Sequence, residues 1–521
     1  MQFPTKARFR YNTPVENPAR FVQKEIPPSE TLMQPSDSQE TIQENTGRPT
    51  LVLGFIPLVP LAFLGLGIYR AWIEIAFVGS FTGLPAHAQS VFGGSLGVRD
   101  LFDGSMVAVS LACALFAKRI GPFFDKKPIY VASSLLLVLS TVLVFSTRFF
   151  PESSLFLGSF AAVAGGTGIA FLILLWSELY GCLNPLRVAT YYSLSIVVGA
   201  IIVYIWHGFM FPWLFVMTAL LPLVSILCVH ESFRQLPSEE RPQNTKTRLS
   251  IPWKVIVLMS IYAFAYGLLE CTTYSGYFGP HSAPGTLAAG AVVFFAVAAR
   301  GKHFDFGMIY RLALPLTVAA LLLIPAFSIL SEPVSSFCVS AGYTAQSILI
   351  MVIIANLCYR YGASAILLFG IERGVRQISM IAGRAVNDRA HLLGSNGEVF
   401  LAALTVVAVM AATLIIMSER ELSSSWGVTV DKTNPSETSL TARKHELSSR
   451  VADVSRKHKL SAREEEVLLL LAQRKTVGSI ERELFIANGT AKAHVRHIYQ
   501  KLGIHTRQEL FDMLGVDGET K

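Results

Sequence analysis

Between Thr490 and Leu502 the chain sets Lys492, Arg496, His497 and Gln500 on one side of a short apolar seam and places no carboxylate among them. These side chains carry positive charge or donate hydrogen bonds. Lys492 and Arg496 stand one helical turn apart, so they can address neighbouring positions along a single groove of DNA. The seam is Ala491, Val495, Ile498 and Leu502, spaced i, i+4, i+7, i+11, which is one narrow stripe of a helix. A helix with a buried stripe and a cationic outer face suits the major groove. An ordinary amphipathic helix with a solvated basic face has the same pattern, and this stretch alone does not separate the two.

A second group of chemistry-bearing residues lies within apolar runs. It comprises Arg70 and Glu74, Asp100 and Asp103, Glu178, Glu270, Arg311, and Glu372, Arg373 and Arg376. Ionisable groups in spanning helices are costly, so they face a cavity or a partner. Aromatics stand close by in Tyr69, Trp72, Trp176, Tyr180 and Tyr266. A central cavity lined by carboxylates, arginines and aromatics suits a small polar or amphipathic organic ligand. The candidate contacts are Arg70, Trp72, Glu74, Glu178, Glu270, Glu372, Arg373 and Arg376. Arg70 with Glu74, and Glu372 with Arg376, are also spaced i, i+4 and can simply pair with each other.

No nucleophile–base set, metal-ligand spacing or nucleotide-binding loop appears. No catalytic residue, metal or cofactor is expected, and the chain does not read as an enzyme. Gly165-Gly166-x-Gly168 falls in the middle of an apolar run, so it reads as a helix-packing patch instead of a phosphate cradle. The cysteines 113, 182, 228, 271, 338 and 358 lie in or beside apolar runs without zinc spacing. They read as small apolar residues without disulfides.

The elements around the basic stretch are short helices. Ser461 with Glu464 three residues on forms a capping box ahead of an apolar helical run. Val477–Leu484 reads as a second helix with Ile480 and Leu484 on one side, the basic helix is the third, and Thr506–Leu514 is a fourth, capped by Thr506. From Leu460 to Leu514 this pattern resembles the LuxR-type helix-turn-helix domain: L-S-x-R-E-x-E-V-L, then L-F-I, G-T, K-x-H-V and K-L-G. The resemblance implies that Lys492, Ala493 and Arg496 face base edges. It also implies that Thr490, Lys501 and Arg507 contact phosphates, with His497 on the same outer face. DNA is the implied partner, bound by a homodimer. Two positions depart from the family. Glu481 stands where Ala is usual, and a carboxylate there needs a partner or solvent. Ala487 stands where a capping Ser is usual; Asn488 or Thr490 can substitute.

The remainder has the composition of a membrane protein. Of 521 residues, 52% are hydrophobic and 15% charged, with 34 Phe. The formal charge of +8 does not by itself indicate nucleic acid, because basic cytoplasmic loops produce the same surplus. Residues 1–50 are polar and have no apolar core, so they read as a flexible cytoplasmic tail instead of a signal peptide. Apolar runs follow at 51–69, 100–118, 129–147, 155–177, 188–206, 208–228, 251–270, 283–299, 308–328, 335–358, 363–385 and 399–418; the first can extend through Ile73–Phe77. The expected fold is therefore all-α: a twelve-helix transmembrane bundle over residues 51–418, with a C-terminal four-helix domain over 456–521.

With the amino terminus inside, Lys118, Arg119, Lys126, Lys127, Arg187, Arg234, Arg241, Lys246, Arg248, Arg300, Lys302 and Arg360 fall in inner loops. That bias fits the positive-inside rule and returns the carboxyl terminus to the cytoplasm at the inner membrane. Arg384 and Arg389, near the last outer loop, are the exception. The polar break His230–Ser250 divides the spans six and six. This layout resembles the major facilitator superfamily. So does Gly121-Pro122-Phe123-Phe124-Asp125-Lys126 after the second span, echoed by Gly301–Asp305 after the eighth. Pro128, Ile129 and Tyr130 stand where that motif would close. Tyr69 before Glu74 and Tyr266 before Glu270 end the first and seventh spans alike.

Residues 419–455 form a Ser/Thr-rich linker followed by a lead-in helix. That helix, within Thr441–Lys459, reads as a solvated spacer or a dimer contact. Together these features describe a membrane-embedded regulator in contact with lipid, a small-molecule ligand and promoter DNA. A facilitator-type transporter with a regulatory DNA-binding tail is the alternative.

Overall fold

Among the described residues, helices account for nearly all the regular structure. The computed structural model describes residues 59–79, 81, 97–236, 240–242, 252–273, 283–300, 315, 317–318, 332–390, 395–416, 440–484 and 488–515. The expected amino-terminal tail, almost all of the ninth span, the second G-x-x-x-D loop, the linker up to residue 439 and Ala487 lie outside these residues.

The bundle begins with a 3-10 turn, Leu61–Leu64, that leads into α1 (Gly65–Ile73) and continues as a π turn, Glu74–Val78. There follow α2 (Val98–Leu115), the short α3 (Ala117–Ile120), α4 (Lys127–Ser146), α5 (Ser154–Gly181), α6 (Pro185–Trp206) and α7 (Phe211–Gln235). The second half contains α8 (Trp253–Thr273), α9 (Ala283–Arg300), α10 (Glu332–Tyr361), α11 (Ala365–Ala390) and α12 (Ser395–Ile416). Among the described residues, seven helical segments are long and apolar enough to cross a membrane, and two further apolar helices are shorter.

Neither α2 nor α11 is among them, because each carries too many charges. α2 holds Arg99, Asp100 and Asp103; α11 holds Glu372, Arg373, Arg376 and Arg384. These two helices pack against each other and α11 packs against α8, so their charges meet inside the bundle. The outer surface is apolar instead: Leu135, Phe156, Phe160, Tyr204, Trp213 and Leu227 are all exposed. That inversion suits a lipid environment.

Small residues let the helices approach closely. A Cβ added at Gly67 would stand 1.7 Å from the Ser195 carbonyl oxygen, and one at Gly166 would stand 1.9 Å from Ser105 Oγ. Ser133 Oγ donates to Gly168 O at 2.8 Å and Ser140 Oγ to Ala161 O at 2.7 Å, joining α4 to α5 through the glycine patch.

The C-terminal core is separate in composition. It is built by α13 (Leu440–Lys457), α14 (Ala462–Ala472), α15 (Val477–Leu484), α16 (Asn488–Leu502) and α17 (Arg507–Met513). Val451, Val467, Leu468, Leu471, Ile480, Leu484, Ala491, Ile498, Leu502 and Leu510 meet in one cluster. The capping box forms as the sequence implies: Glu464 N–H donates to Ser461 Oγ and Ser461 N–H to Glu464 Oε2. Gly503 ends α16 at φ +67°, the left-handed conformation that a helix C-terminus commonly needs. The lead-in helix α13 is not a solvated spacer. It buries Val451 in this core, packs Leu447 and Val454 against it, and sends Arg450 to the Leu514 and Gly515 carbonyls at 2.7 Å.

Candidate nucleic-acid interface and buried chamber

The seam of α16 is laid down as its spacing requires. Ala491, Ile498 and Leu502 are buried and Val495 packs against the same cluster. The opposite face presents Lys492, Arg496, His497 and Gln500 to solvent, with Thr490 and Ala493 half-exposed beside them. Four donor or cationic side chains thus share one unobstructed helical face, which is the geometry of major-groove readout. Glu481 is half-exposed at the edge of α15.

Two residues expected at phosphates by resemblance also make contacts inside the domain. Lys501 Nζ lies 2.6 Å from Glu464 Oε2 and so braces the capping box from α16. Burial by itself would raise the Glu464 carboxyl, but its hydrogen bonds to Lys501 and Ser461 hold it below the usual carboxylate range. Arg507 Nη2 donates to Lys475 O at 2.9 Å, past the end of α14, and its guanidinium lies 5.4 Å from the Phe511 ring. Both cations therefore secure the fold that presents α16.

Within the bundle, two adjoining cavities of ≈ 120 and ≈ 60 Å³ share Arg70, Glu74, Tyr266 and Tyr343 as common walls. The larger is also lined by Tyr69, Arg99, Tyr192, Glu270, Ser347, Arg373, Arg376 and Gln377, and the smaller by Thr286, Ser340 and Thr344. Five of the candidate ligand contacts therefore converge: Arg70, Glu74, Glu270, Arg373 and Arg376. Tyr266 and Tyr343 stack with ring centroids 4.0 Å apart, and the Arg376 guanidinium lies 5.8 Å from the Tyr343 ring. The matching ends of the first and seventh spans both open onto this chamber.

Three candidates do not line it. Trp72 is fully buried, with its indole N–H donating to Thr141 Oγ1 at 2.8 Å, and belongs to the packing of α1 on α4. Glu178 accepts the backbone N–H groups of Phe123 and Phe124 at 2.9–3.0 Å. It anchors the G-P-F-F-D loop to α5. Glu372 stands behind the wall, ion-paired to Arg376 and 3.2 Å from Arg373 Nε, so it positions the two arginines. The i, i+4 pairing expected of Glu372 and Arg376 is present. Trp176 and Tyr180 are packing residues as well, hydrogen-bonded to Ser225 and to Phe63 O.

Sequence reasoning missed the charge network beside the chamber. Arg384 reaches Asp100 at 2.7 Å, Asp103 at 2.6 Å and Glu270 at 2.6 Å. Arg99 stands 3.4 Å from Asp103 and 3.7 Å from Glu270, and Gln377 Nε2 donates to Asp103 Oδ1 at 2.8 Å. Arg384 is therefore buried, and its apparent violation of the charge rule disappears. The available signal was the coincidence of carboxylates at the start of one span with an arginine at the end of another.

Among the described residues, the C-terminal domain touches the bundle through helix packing and side-chain links. Its α13 packs on α10 and its α15 on α6. Tyr359, near the end of α10, packs against the domain's core with its hydroxyl 3.5 Å from Gln473 Oε1. Lys475 pairs with Glu240, from the break between the halves, and with Glu483 at 3.1 Å.

Residues 458–514 match the family model described as bacterial regulatory proteins, luxR family. No curated protein matches the chain. Among solved structures, a bacterial homologue of the iron transporter ferroportin, in an outward-facing state with soaked iron, is 13% identical. That likeness covers 70% of this chain and 97% of the other, with a TM-score of 0.47. The human organic anion transporter MFSD10 (TETRAN) is 15% identical over 68% of this chain and 98% of its own, with a TM-score of 0.42.

Proposed function

We propose that the chain is a one-component transcription regulator embedded in the inner membrane, with both termini in the cytoplasm. In this reading a twelve-helix, facilitator-like bundle holds a small-molecule ligand in the chamber. The C-terminal domain binds promoter DNA as a homodimer through Lys492, Ala493, Arg496 and His497. The basic face of α16, in a domain that matches a family of bacterial regulators, supports the DNA-binding half.

One observation supports the sensing half. Helix α10 borders the chamber at Ser340, Tyr343, Thr344 and Ser347, and the same helix packs against the DNA-binding core at Tyr359. Tyr343 and Tyr359 are about 24 Å apart at 1.5 Å per residue. A continuous helix moves as a unit, so a ligand that prefers one placement of α10 also selects one placement of the domain. Two of the contacts also fall where the charge rule puts inner loops: Glu240 and the Tyr359 end of α10. That agreement favours a cytoplasmic domain.

Chromatin mapping of the full-length protein tests the reading, with Arg496→Ala alongside. Discrete sites occupied by the parent and vacated by the variant support it. Equal occupancy by both, or no enrichment for the parent, rejects it.

A further inference from the structure

We propose that the chamber recognises a small organic anion: a carboxylate on a planar, unsaturated or aromatic body, with the carboxylate held by Arg70 and Arg373. This deepens the sensing reading and rests on it. The charges in and directly behind the chamber's walls are unequally distributed. At one end Arg373 and Arg376 share a single carboxylate, Glu372. Arg70 stands beside them, and its Nη1 is buried without a hydrogen-bond partner. Among the described residues, the three guanidiniums of Arg70, Arg373 and Arg376 there face the carboxylates of Glu74 and Glu372.

The other end has the opposite balance. Asp100, Asp103 and Glu270 face two arginines, Arg99 and Arg384. A buried guanidinium nitrogen without an acceptor is costly, and a ligand carboxylate relieves that cost through charge-assisted, bidentate hydrogen bonds. The anionic group is therefore drawn to Arg70 and repelled by Glu270. The walls between the ends are tyrosine rings, with Tyr266 and Tyr343 already stacked. A flat apolar body packs on such walls at low cost. The ≈ 120 Å³ of the larger cavity confines the ligand to a single small ring or a chain of similar size.

The test uses full-length protein in lipid nanodiscs without DNA, so its outcome is independent of promoter binding. Calorimetric titration compares benzoate and 4-hydroxybenzoate with benzamide and benzylamine. The carboxylates are expected to bind, the amide and the amine at least about tenfold more weakly, a difference within reach of one charged hydrogen-bonding pair. Arg70→Gln should weaken the carboxylates by at least about tenfold, while Arg70→Lys, which keeps the charge, retains part of the affinity. The melting temperature of each ligand-free variant separates lost binding from lost fold. Benzylamine binding as tightly as the carboxylates, unchanged carboxylate affinity in a folded Arg70→Gln, or no binding by any carboxylate would each overturn the proposal. Carboxylate binding by a protein that occupies no chromatin sites would uphold this site and reject the regulator reading instead.

Discussion

Arg384 Nη2 lies 2.6 Å from Asp103 Oδ2, joining residues that are 281 positions apart in sequence. The same guanidinium also holds Asp100 and Glu270, so one arginine of α11 ties α2 and α8 together. Charged residues deep in an apolar bundle are tolerable when they neutralise one another across helices. This pairing explains how α2 and α11, each carrying several charges, pack side by side inside the bundle.

Removing Arg384 takes from Asp100, Asp103 and Glu270 the cation they share. Arg384→Ala should cost about 3–5 kcal/mol of stability, the usual penalty for stripping one partner from a buried ion pair. Arg384→Lys should recover only part of it, because a single ammonium cannot reproduce a fork spread over three acceptors. Thermal unfolding of the full-length protein in detergent reads both. A melting curve for Arg384→Ala that overlays the parent's would show that the network contributes nothing.

How much of this was legible in sequence depended on whether the interaction was local. The capping box, the seam of α16 and the pairing of Glu372 with Arg376 all fall within one or two helical turns, and spacing alone gives them. Glu178 and Trp72 looked like ligand contacts because a charge or an indole in an apolar run demands a partner. The partners, Phe123, Phe124 and Thr141, are more than 50 residues away, and no local pattern identifies them. Lys501 and Arg507 show the same limit at the surface. A cation near a DNA-binding helix looks free until the fold brings Glu464 or the Lys475 carbonyl to it.

The Lys501–Glu464 bridge gives the C-terminal domain a definite pH dependence. The folded domain holds the Glu464 carboxyl below the usual carboxylate range, so the unfolded chain takes up that proton first as pH falls. The contribution is complete at neutral pH and is lost as pH drops through the carboxylate range towards the depressed folded value. Glu464→Gln should therefore lower the domain's unfolding temperature at neutral pH, with the gap from the parent closing on acidification. A gap that stays constant with pH would exclude the bridge as its source.

Salt titrations should separate the cations that meet DNA from those that hold the domain together. Arg496→Ala is expected to cost about 1–3 kcal/mol at the preferred site and to relax base choice. If Lys492 also rests near a phosphate, Lys492→Ala should lower the slope of log affinity against log salt by about 1. Lys501→Ala should leave that slope unchanged and reduce domain stability instead, because its ammonium is spent on Glu464. Electrophoretic or fluorescence titration of the nanodisc-embedded chain at several salt concentrations supplies the slopes. A full unit of slope lost in Lys501→Ala would return that residue to the DNA interface.

The docking of the C-terminal domain leaves Lys492, Arg496, His497 and Gln500 exposed, so it does not work by covering the DNA-binding face. It fixes where that face points. In the proposed reading, two copies on a two-fold site hold their α16 helices at a set spacing and orientation, which the bundle contacts would constrain. Among the described residues, Lys475, bridged to Glu240 and Glu483, and Tyr359 beside Gln473 are side-chain links of that contact. Cysteines introduced as Tyr359→Cys with Gln473→Cys should crosslink under mild oxidant in the otherwise unaltered chain. Adding Lys475→Glu places a third carboxylate against Glu240 and Glu483 and should reduce the crosslink several-fold, because like charges at this distance repel. Glu240→Lys in that background restores an opposite pair and should recover it. Each variant is followed for operator occupancy in the same membranes, since undocking frees the domain's orientation without touching its basic face. Crosslinking that is indifferent to Lys475→Glu would mean that the salt bridge does not hold the domain. Unchanged occupancy in a variant shown to be undocked would mean that the bundle does not set the geometry of the two DNA-reading helices.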